Sequence, residues 1–277
     1  MVLGDLASPS CAVILVHLGR SHSYGPVGYI MHVNGVSNVV EKCKVFMYAD
    51  DMCLIYASKD ITEAQKYIQN DFEICKSVNL NKYNCNCNKL EYVQQFRYLG
   101  LTVDNNFNWK LHVNDICNRL RSVLSKFYQL KFVLKKKTLR LVYFALADSL
   151  LSYGLLVYGR TFKTYLKDIK DIQIRLLKFL VSRNVKAECN KEYDRLFPIC
   201  KIIPVDKKVD YLIGLEYYYK EMFKINVQNK YNTRRVRENQ LTVPKMKNYY
   251  GKRTSAYLVP KVFNKIDILR AEGKKYT

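Results

Sequence analysis

Lys44-Val45-Phe46-Met47-Tyr48-Ala49-Asp50-Asp51-Met52-Cys53-Leu54-Ile55-Tyr56-Ala57 is the stretch on which the fold turns. Two short apolar runs, Lys44 to Tyr48 and Met52 to Ala57, lie on either side of an acidic dipeptide. That pattern predicts a β-hairpin with the two carboxylates side by side at its turn. Downstream, Asp60 and Glu63 have the spacing of a capping box, and Ile61, Ala64, Ile68, Phe72 and Cys75 recur at helical intervals. The Asn-rich stretch from Asn79 to Lys89 ends that helix, and Phe96 to Val103 reads as a strand with Gly100 inside it. Upstream, Val27 to Val40 reads as mixed helix or strand.

After Asp104 the periodicity becomes helical. Val113, Ile116, Leu120, Leu124 and Phe127 form one apolar stripe, Leu139 to Tyr158 a second and more buried helix, and Leu166, Ile169, Ile172, Leu176 and Leu180 a third. Beyond about Arg183 the chain reads as irregular, basic and rich in tyrosine. The expected class is therefore α+β. A mixed part with an antiparallel sheet spans residues 1–105, a helical part 106–190, and a basic tail region 191–277.

Charge narrows the partner. Lys and Arg total 46 against 24 acids, a net +22 over 277 residues. A surplus of that size repels itself in the compact state and points to a polyanion, nucleic acid before an anionic membrane. Asp148 and Gly154 interrupt the long apolar run Leu141 to Tyr158, which favours a buried helix over a membrane span. The nine cysteines and four histidines show no paired metal-ligand spacing, so reduced intracellular thiols are expected.

The chemistry the hairpin offers is two-metal catalysis. Two Mg²⁺ ions clamp an attacking hydroxyl oxygen and a leaving pyrophosphate, and each needs hard oxygen ligands such as Asp50 and Asp51. Adjacent carboxylates repel one another unless a cation sits between them. An Asp-Asp turn that merely closes a solvated hairpin is the plainer alternative.

Tyr48-Ala49-Asp50-Asp51 resembles the catalytic palm hairpin of reverse transcriptases from non-LTR (LINE-type, jockey- and CR1-like) retrotransposons. The resemblance continues in order. Asn79-Leu80-Asn81 resembles the segment after the palm helix. Phe96-Arg97-Tyr98-Leu99-Gly100-Leu101 resembles the primer-grip hairpin, with Tyr98, Leu99 and Gly100 as its grip, and Asp104 to Trp109 the start of the thumb. Leu150-Leu151-Ser152-Tyr153-Gly154 with Val157-Tyr158-Gly159 resembles a thumb helix. Val243-Pro244, Tyr250-Gly251-Lys252-Arg253, Pro260 and Phe263-Asn264 resemble the C-terminal tail.

This resemblance, over residues 23–265, implies a partial palm, a helical thumb and a basic tail. It also implies RNA-directed DNA polymerisation with Mg²⁺ on Asp50 and Asp51, and an RNA template and DNA primer or target as partners. No membrane partner is implied. Lys135, Lys136 and Lys137 between thumb helices, and Arg234, Arg235, Arg237, Lys252 and Arg253 in the tail, are the expected nucleic-acid contacts, with tyrosines among the tail cations placed to stack on bases.

The departures bear on activity. The family's third metal-binding aspartate, on a strand upstream of the hairpin, has no counterpart before Tyr48. The nucleotide-receiving motif keeps Ser23-Tyr24-Gly25-Pro26 but has Arg20 and Ser21 where a Gln-Gly pair is expected, and Asn84 stands where a lysine is expected, with Lys82 nearby. Two carboxylates without the bridging third do not fix an in-line two-metal geometry. Three readings follow: a truncated, catalytically incomplete reverse transcriptase; a polymerase completed by another chain; and a nucleic-acid-binding protein that uses the thumb and tail alone.

Overall fold

The computed structural model describes residues 2–3, 11–17, 36–48, 51–58, 60–79, 93–189, 192–219 and 241–271. The chain is mixed α+β, mostly helical, with two small antiparallel sheets. It divides into two compact units, Met1–Leu111 and His112–Thr277.

In the first unit β3 (Lys44–Tyr48) and β4 (Asp51–Ala57) form the expected antiparallel hairpin, with Tyr48 opposite Asp51 and Lys44 opposite Ile55. On the other side of β4 lies β2 (Cys11–His17), antiparallel, with Cys11 opposite Ala57 and His17 opposite Asp51. β1 (Val2–Leu3) pairs with β2, so the sheet order is β1-β2-β4-β3. Among the described residues β4 is the hairpin strand with neighbours on both edges, and Met52, Cys53 and Leu54 are all buried. Uninterrupted burial of successive residues is what a strand covered on both faces requires.

The helix predicted from Ile61 is α2 (Ile61–Asn79), after a short α1 (Val36–Val39). Ala64, Ile68, Phe72 and Cys75 from α2 pack with Met52 and Leu54 into one core. The start of α2 is held differently from a reciprocal capping box. Asp60 Oδ1 accepts from the Thr62 backbone N–H at 2.9 Å and from the Thr62 hydroxyl at 2.8 Å, while Glu63 accepts from the Ser58 hydroxyl. Thr62 thereby holds the Asp60 carboxyl below its ordinary pKa.

The strand read over Phe96 to Val103 is instead a hairpin, β5 (Gln95–Tyr98) and β6 (Leu101–Asp104), with Tyr98 opposite Leu101. Leu99 (φ 45°) and Gly100 (φ 77°) both take left-handed backbone, the requirement of a two-residue hairpin turn whose twist matches the strands. The glycine satisfies that turn rather than a close approach within a strand.

The second unit is built on α3 (Lys110–Val133), most of which lies in it, and α7 (Lys163–Leu180), and their predicted apolar stripes are buried throughout. The helix expected over Leu139 to Tyr158 is segmented. α4 (Lys136–Val142) runs into a π-helical stretch, Tyr143–Asp148, then α5 (Ser149–Ser152). The chain breaks at Tyr153 and left-handed Gly154 and resumes as α6 (Leu155–Tyr158).

The region after Arg183 is not irregular where it is described. It forms α8 (Arg183–Glu188), a 3-10 turn Tyr193–Arg195, α9 (Leu196–Cys200), α10 (Val205–Tyr219), a 3-10 turn Gly251–Arg253 and α11 (Ser255–Ala271). Sparse but well-placed apolar residues explain the difference: Leu196, Phe197, Val205, Val209, Ile213, Leu241, Val259 and Val262 are buried, which packs this region into the helical unit. Two polar clamps reinforce it. Buried Gln173 donates to Tyr143 Oη at 2.8 Å and to the Ile203 carbonyl at 3.1 Å, and accepts from the Val205 N–H at 3.1 Å. Asn264 exchanges both amide hydrogen bonds with the backbone of Leu241, at 2.8 and 2.9 Å.

Candidate functional sites: the Asp-Asp hairpin and a basic helical surface

Two residues separate the hairpin strands, Ala49 and Asp50, and both lie outside the described residues. Asp51 is the first residue of β4, with Tyr48 on one side and His17 on the other. The hairpin is held at its far end by a buried carboxylate on α2. Asp71, 2% exposed, accepts from the backbone N–H groups of Glu41, Lys42 and Cys43 at 3.4, 3.1 and 2.7 Å. Burial, with Asp71 beside it, pushes the Cys43 thiol up. Burial alone pushes Cys53 up to about 11, and burial with the Asp71 charge does the same for Cys75. These thiols are protonated, inert packing groups at neutral pH. Among the described residues no group of three His, Cys, Asp or Glu side chains is placed to hold a metal ion.

Tyr98, Leu99 and Gly100 sit at the tip of the second hairpin and are half-buried. Its return strand ends on Asp104, whose buried carboxylate accepts from the N–H groups of Asn106, Asn108 and Trp109 at 3.1, 3.1 and 2.8 Å. That cap holds a turn in which Phe107 and Trp109 take positive φ.

Lys135, Lys136 and Lys137 are exposed where α3 gives way to α4. They do not stand alone. Lys131, one turn earlier on α3, places its ammonium 4.6 Å from the Phe132 ring centroid, 5.2 Å from Tyr128 and 5.7 Å from Phe179 on α7. Lys178, beside Phe179, lies 3.4 Å from the Tyr193 ring centroid. Burial, then the charges of Lys136, Lys131, Arg183 and Lys178, lowers the pKa of Lys186 on α8. Burial is the larger cause, and the four cations add to it, so positive charge is concentrated around Lys186.

Lys131, Phe132, Lys178, Arg183 and Lys186 escaped the sequence reading, although one signal was there. The α3 stripe runs Val113, Ile116, Leu120, Leu124, Phe127, so Phe132 and Val133 fall off it. They are apolar residues at solvent positions and are 82% and 81% exposed.

In the tail, Lys252 and Arg253 lie in the 3-10 turn Gly251–Arg253, Lys252 exposed and Arg253 half-buried. The Arg253 guanidinium is 5.5 Å from the Tyr249 ring centroid and 5.9 Å from that of Tyr250. Tyr249 itself stacks on Phe162, 4.2 Å apart at 4°. The tyrosines expected to stack on bases are thus partly engaged within the protein. Arg234, Arg235 and Arg237 lie outside the described residues, as do Asn81 to Asn84 and Arg20 to Pro26.

No family model matches the chain, and no curated protein or solved structure matches it. Among the described residues no helix is long and apolar enough to cross a membrane.

Proposed function

We propose that this chain is a palm-and-thumb piece of a non-LTR retrotransposon reverse transcriptase, binding nucleic acid through its helical unit and catalytically incomplete by itself. The observation that carries the palm half is the β3–β4 register. Tyr48 pairs with Asp51, so the Tyr-Ala-Asp-Asp sequence occupies the turn of an antiparallel hairpin backed by an amphipathic helix. Such a turn is a suitable place for the adjacent carboxylates that a two-metal site uses.

A second register bears on completeness. On the other edge of β4 the β2–β4 pairing sets His17 opposite Asp51, so that paired position carries no carboxylate. A hard cation takes oxygen ligands, and an imidazole is a poor substitute. Mg²⁺ would therefore be held weakly by Asp50 and Asp51, and without a third ligand the in-line geometry is not fixed.

The gathering of Lys131 and Lys178 at the joined ends of α3 and α7, with Lys136, Arg183 and Lys186 near them, favours the second reading, a nucleic-acid-binding protein without polymerase activity. One experiment separates the two from each other and from neither. The purified chain is titrated with an RNA template annealed to a DNA primer across salt, and the same complex is supplied with deoxynucleotides and Mg²⁺. Affinity should fall on the order of 10³-fold between about 50 and 200 mM salt, as neutralising six to eight phosphates dictates. No extension should occur. Extension abolished by Asp50→Ala would overturn incompleteness; binding indifferent to salt, or none, would overturn the nucleic-acid reading.

A further inference from the structure

Within the helical unit the ends of α3 and α7 meet at Tyr128 and Phe179, α4 packs on α7, and α8 begins just beyond the end of α7, which brings their cations to one region. Its cations include Lys131, Lys135, Lys136, Lys178, Arg183 and Lys186, and among the described residues none of these is in a salt bridge. Elsewhere in the unit carboxylates are used to pair cations, as in Lys208–Asp148 at 2.6 Å, Lys170–Asp194 at 2.9 Å and Lys265–Asp210 at 3.0 Å. Two of them lie against rings instead: Lys131 against Phe132, Tyr128 and Phe179, and Lys178 against Tyr193. Tyr128 and Phe179 meet edge to face at 4.8 Å, which fixes the ends of α3 and α7 to each other. Cations held on rings keep their charge available to an outside anion.

We propose that this surface binds a single-stranded nucleic acid, its lysines gripping consecutive phosphates while Phe132 stacks on an unpaired base. The inference rests on the nucleic-acid reading above and adds the strand type and the contact. The choice of single strand follows from Phe132. A phenylalanine 82% exposed offers a partner only a ring face, with no hydrogen bond to give. A duplex buries its base faces in its own stack and presents phosphates and groove edges, whereas an unpaired base offers a face of matching size. Val133, 81% exposed, widens the apolar platform next to it. An anionic membrane would satisfy the lysines but would draw no advantage from one ring seated under an ammonium.

The test uses the full chain, a fluorescent 16-nucleotide single-stranded oligouridine, and a blunt duplex of about the same length, a span on the order of one binding site. Phe132→Ala should weaken single-strand binding about tenfold, the loss of one stacked base, and leave duplex binding unchanged. Lys136→Ala combined with Lys186→Ala should weaken both and lower the salt slope by about two, one for each phosphate contact removed. Exposed or half-exposed positions make these variants compatible with the fold, and unchanged thermal melting checks that.

If the intact chain binds and neither variant changes anything, this surface is not the site and the proposal falls while the general nucleic-acid reading stands. If Phe132→Ala weakens duplex and single strand equally, the stacking contact is refuted. If the variants lose affinity only for vesicles containing phosphatidylserine, the surface is a membrane contact. If the intact chain binds neither oligonucleotide, both readings fail together.

Discussion

Asp71 on α2 accepts the backbone N–H of Cys43 at 2.7 Å, one residue before β3 begins, and so ties the helix beneath the sheet to the strand that leads into the Asp-Asp turn. The same carboxylate takes the N–H groups of Lys42 and Glu41. One buried side chain thereby fixes both the start of the hairpin and the helix it packs on.

Removing that acceptor should be costly. Asp71→Ala leaves three N–H groups without their acceptor and should destabilise the first unit by about 2–3 kcal/mol, the range for a charged hydrogen bond lost inside a protein. Asp71→Asn keeps one carbonyl oxygen and should lose roughly half as much. Urea titration followed by tyrosine fluorescence reads both. Equal midpoints for wild type and Asp71→Ala would mean that the Glu41–Cys43 segment is held by other contacts.

Gly159 is the corresponding constraint in the helical unit. A Cβ there would lie 2.4 Å from the Leu155 carbonyl oxygen and 2.6 Å from Val209 Cγ2 on α10. The carbonyl belongs to the turn just before Gly159, so moving α10 away relieves only the Val209 contact and the local backbone must shift as well. Gly159→Ala should cost about 2–3 kcal/mol by overpacking, seen as a lower melting temperature with unchanged far-ultraviolet dichroism. Val209→Ala in the same background should recover only part of the loss, because the Leu155 oxygen remains.

What the sequence disclosed, and what it did not, divides along physical lines. The hairpin around Asp50 and Asp51, α2 and the stripes of α3 and α7 were legible because each is a local period of apolar residues, and burial of one face decides their placement. Periodicity alone gives one strand over Phe96 to Val103, although the resemblance implies a hairpin there, because the turn is Leu99-Gly100 and leucine is a rare occupant of left-handed backbone. The segmentation after Val142 was missed because a π-helical stretch and the break at Gly154 do not alter composition.

The helices after Arg183 were missed for another reason. Their surfaces are so rich in lysine and tyrosine that α10 and α11 show only a faint apolar period, and their burial comes from tertiary contact with α6 and α7 and with each other. The basic surface at Lys186 was invisible as well, since it joins residues 131, 136, 178, 183 and 186, which only the packing of α3, α4, α7 and α8 brings together.

Alkaline pH should unfold the chain earlier than its overall charge implies. Burial raises Cys53 and Cys75 from 9.0 to about 11, and it raises Tyr143 and Tyr158 well above 10. In each case the folded state holds the proton more tightly than the unfolded chain does. The stabilisation is complete below the unfolded pKa, near 9 for the thiols and 10 for the phenols, and is lost as pH rises towards the folded value. Melting temperature should therefore be level from about pH 7 to 8.5 and decline between about 9 and 11. Cys53→Ser with Cys75→Ser should flatten the first part of that decline, because serine does not titrate there. A decline that is unchanged in the double variant would assign it to the other raised groups, the Cys43, Cys117 and Cys200 thiols and the tyrosines.

The Asp-Asp turn should be catalytically silent and structurally dispensable. The β2–β4 register sets His17, not a carboxylate, opposite Asp51. Without a cation, neighbouring carboxylates repel, and neutralising either relieves that repulsion. In buffer with EDTA, Asp50→Asn and Asp51→Asn should melt at the same temperature as wild type or slightly above it. Adding millimolar Mg²⁺ should raise the wild-type melting temperature by no more than a degree or so, the mass-action gain expected when the ion is present near or below its dissociation constant. Primer extension on an RNA template should be absent with Mg²⁺ and with Mn²⁺ alike. The informative variant is His17→Asp, which restores an oxygen ligand at the paired position. A larger Mg²⁺-dependent rise in melting temperature in that variant, lost again on Asp51→Asn, would place position 17 and Asp51 around one cation. If His17→Asp gains no Mg²⁺ response while wild type already shows a strong one, the ion is held by groups other than this register, and the account of incompleteness given by His17 is wrong.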